Sequence, residues 1–217
     1  MPLFNPTPNI TDRRYVRGSP ANVNDDEFRN GTIDSSFVEQ VVTGTATWTE
    51  GGDQLQAEFF SQSTSDLSAI LKPVTMATGD HITTCANGIM RATPNMLGIA
   101  ITDGTLTTSN VVAALLYVGS SIQFTLRHGT LTNVATTTWD IALSAIYTTG
   151  FPFLRLRYTA ANTFEAQISL NGDDYSTLAQ TTATKTMTPT HVGLVVSAWG
   201  AGTARSLGSF DFLRYND

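Results

Sequence analysis

Phe153-Leu154-Arg155-Leu156-Arg157-Tyr158, then Phe164-Glu165-Ala166-Gln167-Ile168-Ser169-Leu170, then Asn171-Gly172: these residues alternate apolar with polar twice and stop at a turn dipeptide. In the first run Leu154, Leu156 and Tyr158 share one face, while Phe153, Arg155 and Arg157 share the other, because side chains along a strand point to opposite sides in turn. A period of two bounded by Asn-Gly reads as paired strands ending in a hairpin, with the return strand beginning at Tyr175 and Leu178. The pattern that decides the fold is therefore β.

The same reading extends outward. Phe37–Val42, Ala46–Trp48, Leu55–Phe60, Leu67–Leu71, His81–Met90, Met96–Thr102, Ile122–Arg127, Val192–Ala198 and Phe210–Tyr215 are short apolar runs separated by polar or glycine-containing turns. Gly51-Gly52 between two of them signals another hairpin. Val111–Val118 is apolar throughout, too short for a helix of this kind and rich in valine, as expected of a strand buried on both faces. No segment keeps helical spacing for three turns, which leaves nowhere for the crossover helices of a parallel α/β sheet. The expected fold is all-β, a two-sheet antiparallel jelly-roll sandwich.

Composition agrees. The chain has 217 residues, 41% hydrophobic and only 14% charged, enough for one domain with a core that needs no disulfide or metal. The formal charge is −6, which argues against an electrostatic grip on nucleic acid. No run approaches the ~20 apolar residues of a membrane helix, and Met1-Pro2-Leu3-Phe4 lacks the basic start and apolar run of a signal peptide. Synthesis in a cytoplasm is the expectation. Cys85 is the single cysteine and is read as a buried, inert thiol.

Residues 1–24 differ from residues 25–217. They hold Pro2, Pro6, Pro8 and Pro20, half of the chain's 8 prolines, and Arg13, Arg14 and Arg17 against Asp12. A weakly basic arm thus precedes an acidic body. Proline interrupts any hydrogen-bonded ladder, so the bland reading is an unstructured terminus. The sharper one is an extended assembly arm, able to reach on the order of 80 Å, with Phe4, Ile10 and Tyr15 as anchors and Arg13, Arg14 and Arg17 meeting acidic surface on a partner.

Three elements resemble the concanavalin A-like lectin/glucanase superfamily. The Leu154–Tyr158 and Phe164–Ser169 pair looks like its inner strands, and Asn171-Gly172-Asp173-Asp174-Tyr175-Ser176-Thr177-Leu178 like its "S.DG..W..L" hairpin. Pro189–Val196 with Phe210-Asp211-Phe212-Leu213-Arg214-Tyr215 looks like its closing strands. Asp25-Asp26-Glu27-Phe28, Gly31 and Ile33-Asp34 resemble its opening strand. The resemblance covers residues 25–217 and implies a jelly roll used by glucanases, lectins and accessory modules. A short chain with a Thr- and Gly-rich body and a Pro/Asn-rich arm also looks similar to bacteriophage virion proteins.

A glucanase of this fold needs paired carboxylates on alternating residues of one strand, as in E-x-D-x-x-E. No such run occurs, so no catalytic residues and no enzyme are expected. Asp25-Asp26-Glu27 reads as a solvated turn. His81, His128 and His191 lack the spacing of a zinc site. Asp103-Gly104 and Asp53 could touch calcium, but no D-x-D-x-D loop is present, and no cofactor is expected. Trp48, Trp139 and Trp199 are candidates for stacking on sugar rings, with core capping as the alternative. The sequence thus suggests a non-catalytic virion surface protein, a decoration protein or head or tail knob, that assembles through its arm with other virion proteins and with itself as a homotrimer. The alternative is a lectin-like module binding a host-surface glycan. Far-UV circular dichroism should show a β-rich spectrum with helix content far below the ~30% of average globular proteins.

Overall fold

The computed structural model describes residues 22–60, 66–89, 95–107, 110–118, 122–128, 132–141, 152–198 and 205–216. Within them every regular element is a strand: β1 (Val38–Thr43), β2 (Thr45–Gly51), β3 (Gln54–Phe60), β4 (Asp66–Pro73), β5 (His81–Ile89), β6 (Asn95–Thr102), β7 (Val111–Val118), β8 (Ile122–His128), β9 (Thr132–Ile141), β10 (Phe153–Ala160), β11 (Thr163–Ser169), β12 (Ser176–Thr184), β13 (His191–Ala198), β14 (Arg205–Phe210) and β15 (Arg214–Tyr215). They form two antiparallel sheets. One has seven strands in the order β1-β4-β13-β6-β7-β8-β9; the other runs β12-β11-β10-β5-β14-β3-β2, with β15 also on β5.

Local chemistry explains several of these elements. The β2–β3 hairpin turns at Gly52 and Asp53, both at positive φ (62° and 60°), while Gly51 pairs with Gln54. The Gly51-Gly52 signal was thus one residue early. Positive φ at both central positions suits the right-handed twist of the flanking strands. At the end of β11, the Asn171 side-chain oxygen accepts from the backbone N–H of Asp173 (2.9 Å) and Asp174 (3.0 Å), the local bond that favours Asn in turns. Leu154 and Leu156 are buried and Tyr158 packs on Phe164, which is the face expected from the alternation.

The core between the sheets includes Phe59, Phe124, Phe164, Phe210, Leu97, Ile99 and Leu194. A second buried cluster lies on the other face of the seven-stranded sheet: Leu67, Ala69, Leu71, Met96, Ala100, Val111, Ala113, Leu115 and Val195, joined by Leu106 from the β6–β7 loop. Gln40 pins that loop, donating to the Gly104 carbonyl and accepting from Leu106 N–H. This two-sided burial is why β7 has no polar alternation. Along it Val112, Ala114 and Leu116 face the sandwich interior, while Val111, Ala113 and Leu115 face the second cluster.

Adjacent strands approach closely at two glycines of this sheet. A Cβ on Gly193 would lie 1.9 Å from the Ile70 carbonyl oxygen, and one on Gly98 would lie 2.0 Å from that of Ala114. In each case the obstacle is backbone, so a side chain cannot be accommodated by a rotamer change. Gly193→Ala should therefore destabilise the fold by about 1–3 kcal/mol. Gly51→Ala, where nothing lies within 4 Å, should stay within about 0.5 kcal/mol of the parent. Urea titration of the two variants checks the contrast.

Candidate functional site

One candidate face for paired carboxylates is the outward side of the seven-stranded sheet. Strand register assigns its residues. On β7 they are Val111, Ala113, Leu115 and Tyr117, paired on β6 with Thr102, Ala100, Gly98 and Met96. On β13 they are His191, Gly193, Val195 and Ser197, and on β4 Pro73, Leu71, Ala69 and Leu67. None is a carboxylate. Retaining and inverting glycosidases need two carboxyl groups, about 5–5.5 Å and about 6.5–9.5 Å apart respectively. Farther along, β8 contributes Thr125 and Arg127, both buried, opposite Leu115 and Ala113. Burial pushes the Arg127 guanidinium below its ordinary value, and the neighbouring Tyr117 opposes that shift.

The three tryptophans are differently placed. The Trp48 indole stacks on Phe210 at 6.1 Å and 25° and donates from Nε1 to Ser68 Oγ at 3.2 Å. It bridges the two sheets and is half-buried, the core-capping geometry. Trp139 lies near the end of β9, and of this segment the backbone pairing is described. Trp199 lies outside the described residues, next in sequence after Ala198, the last residue of β13. Ile141 and Ala198 belong to the same end of the seven-stranded sheet, since register connects them through Ile122, Val118 and Asn95. That end therefore carries Trp139 in its edge strand and leads directly into Trp199. The assembly-arm residues Phe4, Ile10, Arg13, Arg14, Tyr15 and Arg17 also lie outside the described residues.

The outer face of the eight-stranded sheet is polar. The Arg155 guanidinium lies 3.6 Å over the Tyr175 ring, and its Nε donates to Thr83 Oγ1. Gln167, opposite Arg155, donates to Glu165 and Thr177. Phe153, Cys85 and Phe212 form a small buried cluster on this face, so Cys85 is buried as expected. Beside the β11–β12 turn lies an open hollow of about 250 Å³, lined by Ile168, Ser169, Leu170, Asn171, Asp174 and Ser176. Leu170 is 43% exposed there, next to groups able to donate and accept hydrogen bonds.

The acidic junction is structural, not a solvated turn. Asp26 exchanges two backbone hydrogen bonds of 2.8 Å with Leu213. Glu27 accepts from Arg214 Nε at 2.7 Å and Nη2 at 3.1 Å, and Asp25 accepts from Tyr215 N–H. Lys72 and Glu50, both buried, hold the same segment. The Lys72 ammonium lies 3.6 Å from Asp34 and 3.5 Å from the Val23 carbonyl, while Glu50 accepts from Gly31 N–H. The signal that sequence reading missed was the pairing with the chain's far end. For the calcium candidates, Asp103 lies in the β6–β7 loop of one sheet and Asp53 in the β2–β3 turn of the other. Among the described residues no group of three His, Cys, Asp or Glu side chains could hold a metal.

No family model and no curated protein matches the chain. Solved structures do. A GH43 protein from Bacillus licheniformis superposes on 89% of this chain with a TM-score of 0.61 at 15% identity, and this chain spans 39% of that protein. A laminarinase from Flavobacterium sp. UMI-01 gives 0.57 at 10% identity, over 89% of this chain and 98% of its own. A lectin from Bauhinia forficata, in complex with GalNAc, gives 0.54 at 11% identity over 88% and 97%. The two-sheet antiparallel jelly-roll sandwich is what this chain shares with these proteins. At such identities fold alone is shared, and fold does not carry function.

Burial pushes the Asp26 carboxyl above its ordinary 3.8; the Phe28 N–H opposes this, Glu50 adds to it and Lys72 opposes it. A pKa raised by folding contributes stability that is full below the ordinary value and is lost as pH rises through the folded one. Asp26→Asn keeps an acceptor for Phe28 and removes the charge. It should be more stable than the parent at neutral pH, with the difference vanishing below pH 3.8. Chemical denaturation at the two pH values checks the sign.

Proposed function

We propose that this chain is a non-catalytic, carbohydrate-binding jelly roll. The observation that carries the reading is the outward face of the seven-stranded sheet. In a fold shared with laminarinases and lectins, that face holds Leu67, Ala69, Leu71, Ala100, Val111, Ala113, Leu115 and Val195, all buried. Among the described residues of that face no pair of carboxylates stands for acid–base chemistry on a glycosidic bond. Recognition then falls to the strand ends. Trp139, in β9, and Trp199, next in sequence after β13, are the stacking candidates, and the hollow at Leu170, Asn171 and Asp174 offers hydrogen-bonding groups. A flat apolar face with a few placed polar groups is what a sugar ring requires.

The virion reading draws on the arm and composition. None of the similar structures described above is a virion protein, and assembly as a homotrimer or with other virion proteins has its own test in the solution mass of the full chain.

The experiment for the glycan reading is titration calorimetry of the full chain against a panel of soluble glucan, xylan and GalNAc-terminated oligosaccharides, with a reducing-sugar assay in parallel. Binding without sugar release is expected. Trp199→Ala should weaken it at least tenfold, equivalent to about 1.4 kcal/mol, while Asp174→Ala reports on the hollow instead. Absence of binding across the panel overturns the reading, and release of reducing sugar overturns its non-catalytic part.

A further inference from the structure

On the carbohydrate-binding reading above, on which this rests, we infer that the outer face of the eight-stranded sheet takes a carboxylated polysaccharide, with Arg157 as its anion contact. Strand register builds the face. Arg155 and Arg157 stand about 7 Å apart on one side of β10, opposite Leu154 and Leu156, which are buried in the core. Across the ladder Arg157 pairs with Glu165 on β11 and with His81 on β5. Opposite charges so placed ordinarily close into an ion pair. Here the carboxylate is drawn the other way, because Glu165 Oε1 accepts from Gln167 Nε2 at 2.8 Å and from Thr177 Oγ1 at 2.6 Å. Among the described residues no hydrogen bond or ion pair engages the Arg157 side chain. Arg157 is nonetheless half-buried, so its charge gives up part of its hydration with nothing from the protein in return.

Charge and shape select the ligand. Arg155 is held in place: it donates to Thr83 Oγ1 at 3.2 Å and lies over the Tyr175 ring, so a second guanidinium is fixed beside the first. Along the outward side of β5, β10 and β11 these two guanidiniums face one carboxylate, that of Glu165. This is a local positive field on a chain whose formal charge is −6, and an anion finds attraction here that the rest of the molecule does not offer it. The planar fork of a guanidinium matches a carboxylate with two parallel hydrogen bonds, which a uronate ring supplies and a neutral sugar does not. A sheet surface is open along its length, so it suits an extended polymer. The hydroxyls of such a polymer would meet the exposed Thr177 beside the anion contact.

Titration calorimetry of the full chain with polygalacturonate, its methyl-esterified form and poly-glutamate tests this, beside the neutral panel above. Polygalacturonate should bind, and the ester and poly-glutamate should bind about tenfold more weakly or worse. Arg157→Gln should weaken polygalacturonate binding by about tenfold or more, with the melting temperature and any affinity for neutral glycans unchanged. Arg157→Lys keeps the charge without the fork and should fall between the two. A chain that binds the neutral panel and not polygalacturonate overturns the anion site alone, while a chain that binds none of the glycans overturns the carbohydrate-binding reading with it. Equal binding of poly-glutamate overturns the glycan ligand and assigns the face to an acidic peptide. Full affinity of Arg157→Gln for polygalacturonate overturns the role of Arg157.

Discussion

Leu67, Ala69, Leu71, Met96, Ala100, Val111, Ala113, Leu115 and Val195 leave water although they point away from the core between the sheets. A sheet buried on both faces has to be apolar on both, and this governs β4, β6, β7 and β13 together. It explains the unbroken run Val111–Val118 and the small residues Ala69, Ala100 and Ala113 near the sheet's centre. It also explains Gly98 and Gly193, where neighbouring strands come too close for a Cβ. The same constraint reaches function, because a face committed to packing cannot also hold ionised carboxylates without a large desolvation cost.

The eight-stranded sheet takes the opposite course. Its outer face holds Arg155, Thr83, Gln167, Glu165 and Thr177 in cross-strand hydrogen bonds, and Phe153, Cys85 and Phe212 form a small apolar island there. Polar side chains paired across strands keep such a face soluble without demanding a cover. The two sheets of one sandwich thus differ in what they present to their surroundings. Between them, the stack of Trp48 on Phe210 and its bond to Ser68 tie β2 to β4.

Strand identity was legible in sequence because alternation is local. Phe153–Tyr158 and Phe164–Ser169 declare their inward faces within a few residues, and Asn171-Gly172 declares its turn. Pairing was not legible, because nothing in Leu154–Tyr158 says that its other neighbour will be His81–Cys85. The junction shows the limit most clearly. Asp25-Asp26-Glu27 looks like solvated charge until Arg214 and Tyr215, nearly two hundred residues away, are folded against it. Lys72 directly follows the apolar run Leu67–Leu71, yet it is buried, because Asp34 and the Val23 carbonyl come to it from another segment. For the tryptophans, sequence favoured core capping over stacking on a sugar, and the position of Phe210 shows Trp48 in the capping geometry.

The Asp26–Leu213 bridge has a mechanical corollary. The first and last described segments of the chain run side by side there. Tension drawn between them would fall first on two backbone bonds and the Glu27–Arg214 pair. The sandwich behind them would not be loaded until that clasp had opened.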